Sequence, residues 1–119
     1  MPGDRSTLVL AIVNARVWTN DPRRPWADAL LVRGENILAV GSSAELRKRA
    51  GAGATVIDAS GRLVVPGQSD GRLVAGAAAC LAIIERPAAG DPTGVPLERE
   101  VVFSLLDGRV AVDRRGESP

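Results

Sequence analysis

A chain of 119 residues and 12.4 kDa has room for one domain, and 45% hydrophobic with 24% charged residues describes a globular composition. Fifteen basic residues against 14 acidic leave a net charge of +1, which removes the electrostatic case for nucleic acid or an anionic membrane. With no histidine and one cysteine, His-based metal sites, Ser–His and Cys–His nucleophile pairs and an internal disulfide are excluded.

The lone thiol suits a reducing compartment. The longest early apolar run, Leu8 to Val13, is too short for a signal peptide core or a membrane span, so the expected location is cytoplasmic. Residues 1–7 are small and polar and are expected to form a flexible N-terminus. Leu8–Val13 and Ala15–Thr19 are rich in β-branched and apolar residues and suit strands. Asn20 to Pro25 carries two prolines and an Asn-Asp pair and reads as a loop. Ala29–Arg33 and Asn36–Gly41 flank Gly34-Glu35 as a tight hairpin.

Ser42-Ser43-Ala44-Glu45 is a capping box, with the Ser42 hydroxyl placed to accept from the amide of Glu45. Arg47-Lys48-Arg49 complement the dipole in the last turn of a short helix, and Gly51 supplies its left-handed end. Ala54–Asp58 and Arg62–Val65 are expected to pair around Ala59-Ser60-Gly61. Gln68 to Ala77 has no clear period and reads as a linker. Ala79–Glu85 is almost continuously apolar, as in a strand buried on both faces. Arg86 to Pro96 is a loop, Glu100–Leu106 and Arg109–Asp113 flank the hairpin signal Asp107-Gly108, and residues 115–119 form a flexible tail.

About nine short strands and one short helix predict an all-β fold, a two-sheet β-sandwich. It spans residues 8–114 as one domain, with halves 8–67 and 78–114 joined by the linker 68–77. The expected core residues are Val32, Leu38, Val40, Ile57, Val64, Leu81, Ile83 and Phe103.

The order of these segments has a likeness. Asn14-Ala15-Arg16-Val17-Trp18-Thr19, a loop, Ala27-Asp28-Ala29-Leu30-Leu31-Val32, Gly34 to Gly41, a short helix and Val56 to Gly67 follow one another. That order resembles the N-terminal half of the composite β-sandwich domain of the metal-dependent amidohydrolase superfamily. Asp21-Pro22 and Arg24-Pro25-Trp26-Ala27 are similar to the exoenzyme-like, cyclic-amide-hydrolase branch. Ala78 to Glu85 is similar to the family's returning strand, with Cys80 where an Asp is usual, and Val101 to Val112 resembles the closing hairpin.

The resemblance implies a (β/α)₈ barrel inserted between the halves, carrying the metal and the chemistry. A barrel takes about 250 residues, and here only the linker 68–77 separates the halves. The family's first barrel strand begins Pro-Gly-Phe-Ile-Asp-x-His-x-His. This chain reads Pro66-Gly67-Gln68-Ser69-Asp70-Gly71-Arg72-Leu73-Val74, so Arg72 and Val74 occupy the expected histidine ligand positions. Neither side chain offers a lone pair to a metal.

The remaining candidates have plain structural readings. Asp70 alone gives too few donors for a divalent ion and reads as a turn cap. Cys80, in an apolar strand with no cation beside it in sequence, reads as a small hydrophobe rather than a nucleophile. Gly51 to Thr55 follows a helix and lacks the Gly-Lys-Ser/Thr ending of a phosphate loop. The basic runs Arg23-Arg24 and Arg47-Lys48-Arg49 lack aromatic partners for base stacking, the aromatics being only Trp18, Trp26 and Phe103.

The sequence thus predicts an amidohydrolase-like composite domain with no catalytic residues, metal or cofactor. It is expected to be a non-catalytic interaction or assembly module, with Trp26 and Arg72 as the candidate interaction surface. The expected partner is a second copy in a homodimer. The alternatives are a subunit completing a separate amidohydrolase-type chain in trans, and a small-ligand-binding sandwich.

Overall fold

A computed structural model describes residues 9–51, 53–67, 71–85 and 101–114. In chain order these form β1 (Val9–Val13), β2 (Arg16–Trp18), β3 (Trp26–Ala27), β4 (Ala29–Arg33) and β5 (Asn36–Gly41), then helix α1 (Ser43–Ala50). The second part is β6 (Thr55–Asp58), β7 (Leu63–Pro66), β8 (Leu81–Ile84), β9 (Val101–Leu106) and β10 (Arg109–Asp113). The strands make a four-stranded sheet, β5-β4-β1-β6, and a six-stranded sheet, β10-β9-β8-β7-β2-β3. The fold is therefore the predicted all-β sandwich with one short helix.

Apolar side chains from both sheets meet in one core that includes Ile12, Val17, Leu30, Val32, Ile57, Val64, Leu81, Ile83 and Phe103. On the other face of the four-stranded sheet, Leu46 of α1 packs with Ala11, Val13, Ala29, Leu31 and Ala39. Leu63, Val65, Ala82 and Ile84 cluster on the other face of the six-stranded sheet, against Trp18 and Val101. This explains the unbroken apolar run in β8. Leu81 and Ile83 face the main core, Ala82 and Ile84 face the third cluster, and all four are buried.

The helix begins as its capping box requires, with Ser42 in extended conformation accepting from the Glu45 amide at 3.3 Å. Gly51 ends it at φ +80°, after Arg47, Lys48 and Arg49 in the last turn. Asp107 and Gly108 both take positive φ (51° and 80°), the geometry of a two-residue hairpin turn joining β9 to β10.

Three sequence expectations are corrected. The segments now seen as β6 and β7 do not pair with each other. Instead β6 runs parallel to β1 and β7 runs parallel to β2, one pair in each sheet. The two segments turn the corner between sheets side by side: Ala59 N donates to Val13 O at 2.9 Å and Gly61 N to Asn14 O at 2.7 Å. Positive φ at Asn14, Ser60 and Gly61 makes the turn.

Leu38 is exposed, not core. The β4–β5 register shifts between Leu31 and Val32: Leu31 opposes Ala39 while Val32 opposes Ile37, leaving Leu38 as the extra residue of a bulge. The bulge moves the core phase so that Ile37, three residues from Val40, faces inward with it. The other seven expected core residues are in the main cluster, Val40 as a half-buried member. Finally, Trp26–Ala27, assigned to no strand between the loop ending at Pro25 and the strand beginning at Ala29, is a short edge strand paired with Trp18 and Val17.

The expectations for residues 1–7, 86–96 and 115–119, and for Asp70, lie outside the described residues.

Candidate functional site

The stretch between β7 and β8 is where the resemblance would insert a barrel. Residues 71–79 cross it as a strap fixed at both ends. At its start, Leu73 N donates to Thr19 O at 2.9 Å and Asn20 Nδ2 donates to Gly71 O at 3.0 Å. At its end, Ile37 N donates to Ala77 O, Gly76 N to Ile37 O and Ala79 N to Glu35 O, each at 2.8 Å. Asn36 Nδ2 adds bonds to the carbonyls of Gly76 and Ala77, at 3.3 and 3.5 Å. The strap covers the outer edge of β5, and Leu73 is wholly buried in the main core. It is linker in length but part of the core in packing.

Within the strap Arg72 is exposed and Val74 half-buried. The metal that the resemblance implies does not fit here. A guanidinium has no lone pair to give, an isopropyl group has no donor, and the chain supplies no imidazole anywhere. Among the described residues, no group of three or more His, Cys, Asp or Glu comes together.

Trp26, the other candidate, lies 39% exposed on edge strand β3, with Arg16 Cζ 4.8 Å from its ring centroid. The loop 19–25 is what links Trp26 to the strap. Thr19 is almost fully buried; its hydroxyl donates to Arg24 O and accepts from Asp21 N at 3.1 Å. Asp21 Oδ1 accepts from Arg23 N at 3.1 Å, and Arg24 Nη1 donates to Val40 O at 3.3 Å. Between this loop and the strap is a cleft of about 300 Å³, with Arg23 and Arg24 on one wall and Leu73, Val74 and Ala75 on the other. The sequence reading named Arg23-Arg24 as a basic run but did not place it in a cleft. The missing signal is the buried Thr19 hydroxyl, which sets the loop's shape, and its burial is a tertiary property.

A larger groove of about 900 Å³ opens at the opposite end of the β4–β5 hairpin, lined by Val9, Leu10, Val32, Thr55 and Val110, with Glu35, Asp107 and Arg109 around it. Cys80 is beside this end, half-buried, its sulfur 3.5 Å from both Asp107 N and Asp107 Oδ1. Its described partner is thus polar, where the sequence reads Cys80 as a small hydrophobe.

A polar knot ties the corner between the sheets. Asn14 Nδ2 donates to Asp58 Oδ2 at 3.1 Å, Ser60 N donates to Asp58 Oδ1 at 2.8 Å, and Asn14 N donates to Ser43 Oγ at 2.9 Å. The Ser60 amide, then the Asn14 side chain, and more weakly the positive charge of Arg47, hold the Asp58 carboxyl below its ordinary value of 3.8. It is a corner brace with nothing around it that would make it reactive.

No protein-family model matches the chain. Over 61 residues, 51% of this chain, it is 48% identical to an N-substituted formamide deformylase of Arthrobacter pascens, of which this covers 11%. Over 61 residues it is also 38% identical to Protein LONG AFTER FAR-RED 3 of Arabidopsis thaliana, covering 10% of it. The chain thus spans about a tenth of the length of these curated relatives. Among solved structures, a metal-dependent hydrolase of Pyrococcus furiosus matches with a TM-score of 0.45 and 28% identity, covering 50% of this chain and 13% of that one. Enamidase, described as a member of the amidohydrolase superfamily, matches with a TM-score of 0.42 and 39% identity, covering 50% and 16%. Over about half of its length, the chain is thus similar in sequence to an N-substituted formamide deformylase, of which it spans about a tenth.

Proposed function

We propose that this chain is a non-catalytic, amidohydrolase-like β-sandwich that acts through its surface, as an interaction or assembly module. One observation carries this reading. Strands β7 and β8 are neighbours, paired antiparallel from Leu63↔Ile84 to Pro66↔Leu81, and the strap between them is packed into the fold. Among the described residues between the two halves there is a buried leucine and a row of backbone hydrogen bonds. The donor set agrees: Arg72 and Val74 stand where metal-binding histidines are expected, and the chain has no others to offer.

The partner we propose is a second copy of the chain. The sheet-edge strands β10 and β6 present Val110 (58% exposed) and Val56 (48%), while Leu106 (56%) is exposed on the other face of the β9–β10 hairpin. Val110 also lines the larger groove. Apolar surface of this kind on sheet-edge strands is what soluble proteins cover by association, most often about a two-fold axis. Light scattering over a concentration series tests the proposal. A mass approaching twice 12.4 kDa as concentration rises is expected, and a mass that stays at the monomer value into the high micromolar range would overturn it. Mass gained only on adding a separate amidohydrolase-type chain would shift the reading to completion of that enzyme in trans.

A further inference from the structure

We propose that the cleft between the 19–25 loop and the strap binds a small carboxylate with a short apolar body. The chemistry of its walls points there. Arg24 is held in place by its bond to Val40 O, and Arg23 lies within a turn fixed by three hydrogen bonds: Thr19 Oγ1 to Arg24 O, Asp21 N to Thr19 Oγ1, and Arg24 N to Asp21 O. The loop is thus shaped before any ligand arrives, which lowers the ordering cost of binding.

Asp21 is the acid of the cleft, and its Oδ1 is already taken by the Arg23 amide. Two guanidiniums against one carboxylate leave a net positive charge, and guanidinium is the side chain whose planar donors match a carboxylate. Arg72, one residue before Leu73, is exposed and does not line the cleft. The rest of the lining is apolar, from Val40, Leu73, Val74 and Ala75. A volume of about 300 Å³ admits a few carbon atoms beside the charged head. The basic run on α1, Arg47-Lys48-Arg49, lines neither of the two clefts described above and serves as an internal control for simple ionic screening.

The probe is sodium butyrate, titrated against exchanged chloride at constant ionic strength while the backbone amide resonances are followed. Saturable shifts are expected at residues 19–25 and 73–75 and not at residues 47–49. R24Q should weaken the apparent affinity roughly tenfold and R23Q by a smaller but measurable factor. Because Arg24 also bonds Val40 O, R24Q is informative only if its spectrum otherwise superimposes on the parent. R23Q, whose guanidinium has no bond within the described residues, decides the matter if it does not. n-Butylamine, with the same tail and the opposite charge, should leave these resonances unmoved. Linear non-saturating shifts, equal shifts at residues 47–49, or R23Q binding butyrate as the parent does would each overturn the proposal. Saturation by a glutamate-rich peptide with butyrate inert would overturn it too, in favour of an acidic protein partner.

Discussion

A Cβ on Gly108 would lie 1.9 Å from the Gly34 carbonyl oxygen, at a φ of +80° that L-residues rarely adopt. The β9–β10 turn therefore rests directly on the β4–β5 turn, and only glycine permits that approach. Gly108→Ala is expected to lower unfolding stability by about 3 kcal/mol or more in urea titration. Gly51 has the same φ with nothing within 4 Å, so Gly51→Ala should cost only about 1 kcal/mol, which separates backbone strain from steric overlap. At Asp58 the folded-state carboxyl titrates below its ordinary value, so its contribution is present above the unfolded value of 3.8 and is lost as pH falls through the lower, folded one. Asp58→Asn should flatten the acid limb of the urea midpoint measured from about pH 6 to about pH 2. An unchanged acid limb would mean that the Asn14–Asp58–Ser60 knot does not brace the corner.

Elements were legible where their signal is local. The capping box fixed the start of α1, and Asp107-Gly108 fixed the β9–β10 hairpin, because both depend on residues within a few positions of each other. The unbroken apolar run in β8 identified a strand covered on both faces, so Ile83→Asp should bury an unpaired carboxylate and cost several kcal/mol, on the order of the whole stability. A variant melting with the parent in thermal denaturation would show that β8 is not interior. What sequence could not give was long-range or irregular. The parallel β1–β6 and β2–β7 pairs join residues more than forty positions apart, while the local turn at Ala59-Ser60-Gly61 mimics a hairpin. The bulge at Leu38 reverses the alternation that made Leu38 look like core. A second bulge, at Ala111, has a consequence for association. Arg109-Val110-Ala111-Val112-Asp113 reads as self-complementary for an antiparallel edge pair. The register shift, however, sets Arg109 opposite exposed Leu106 and Asp113 opposite buried Phe103, on different faces. Edge-to-edge pairing of β10 is thereby discouraged, and the proposed dimer rests on apolar side-chain contact instead.

At the scale of the whole molecule, one part of the candidate site is a matter of composition. The absence of histidine, and Arg72 and Val74 at the expected ligand positions, are properties of single residues and can be read from the sequence directly. The burial of Leu73, the seating of the strap on β5 and the Arg23–Arg24 cleft arise only when distant segments meet, and none has a sequence period. Among the described residues, together they seat a strap in the sandwich at the place where the resemblance implies an inserted barrel. Under the proposed function, such a sandwich does no hydrolysis. This is tested most directly by assaying the purified chain against an N-substituted formamide with and without added Zn²⁺, alongside elemental analysis of the same preparation. The account predicts no stoichiometric zinc and no rate above that of buffer and metal alone; metal-dependent turnover that stays with the chain through stringent purification would contradict it.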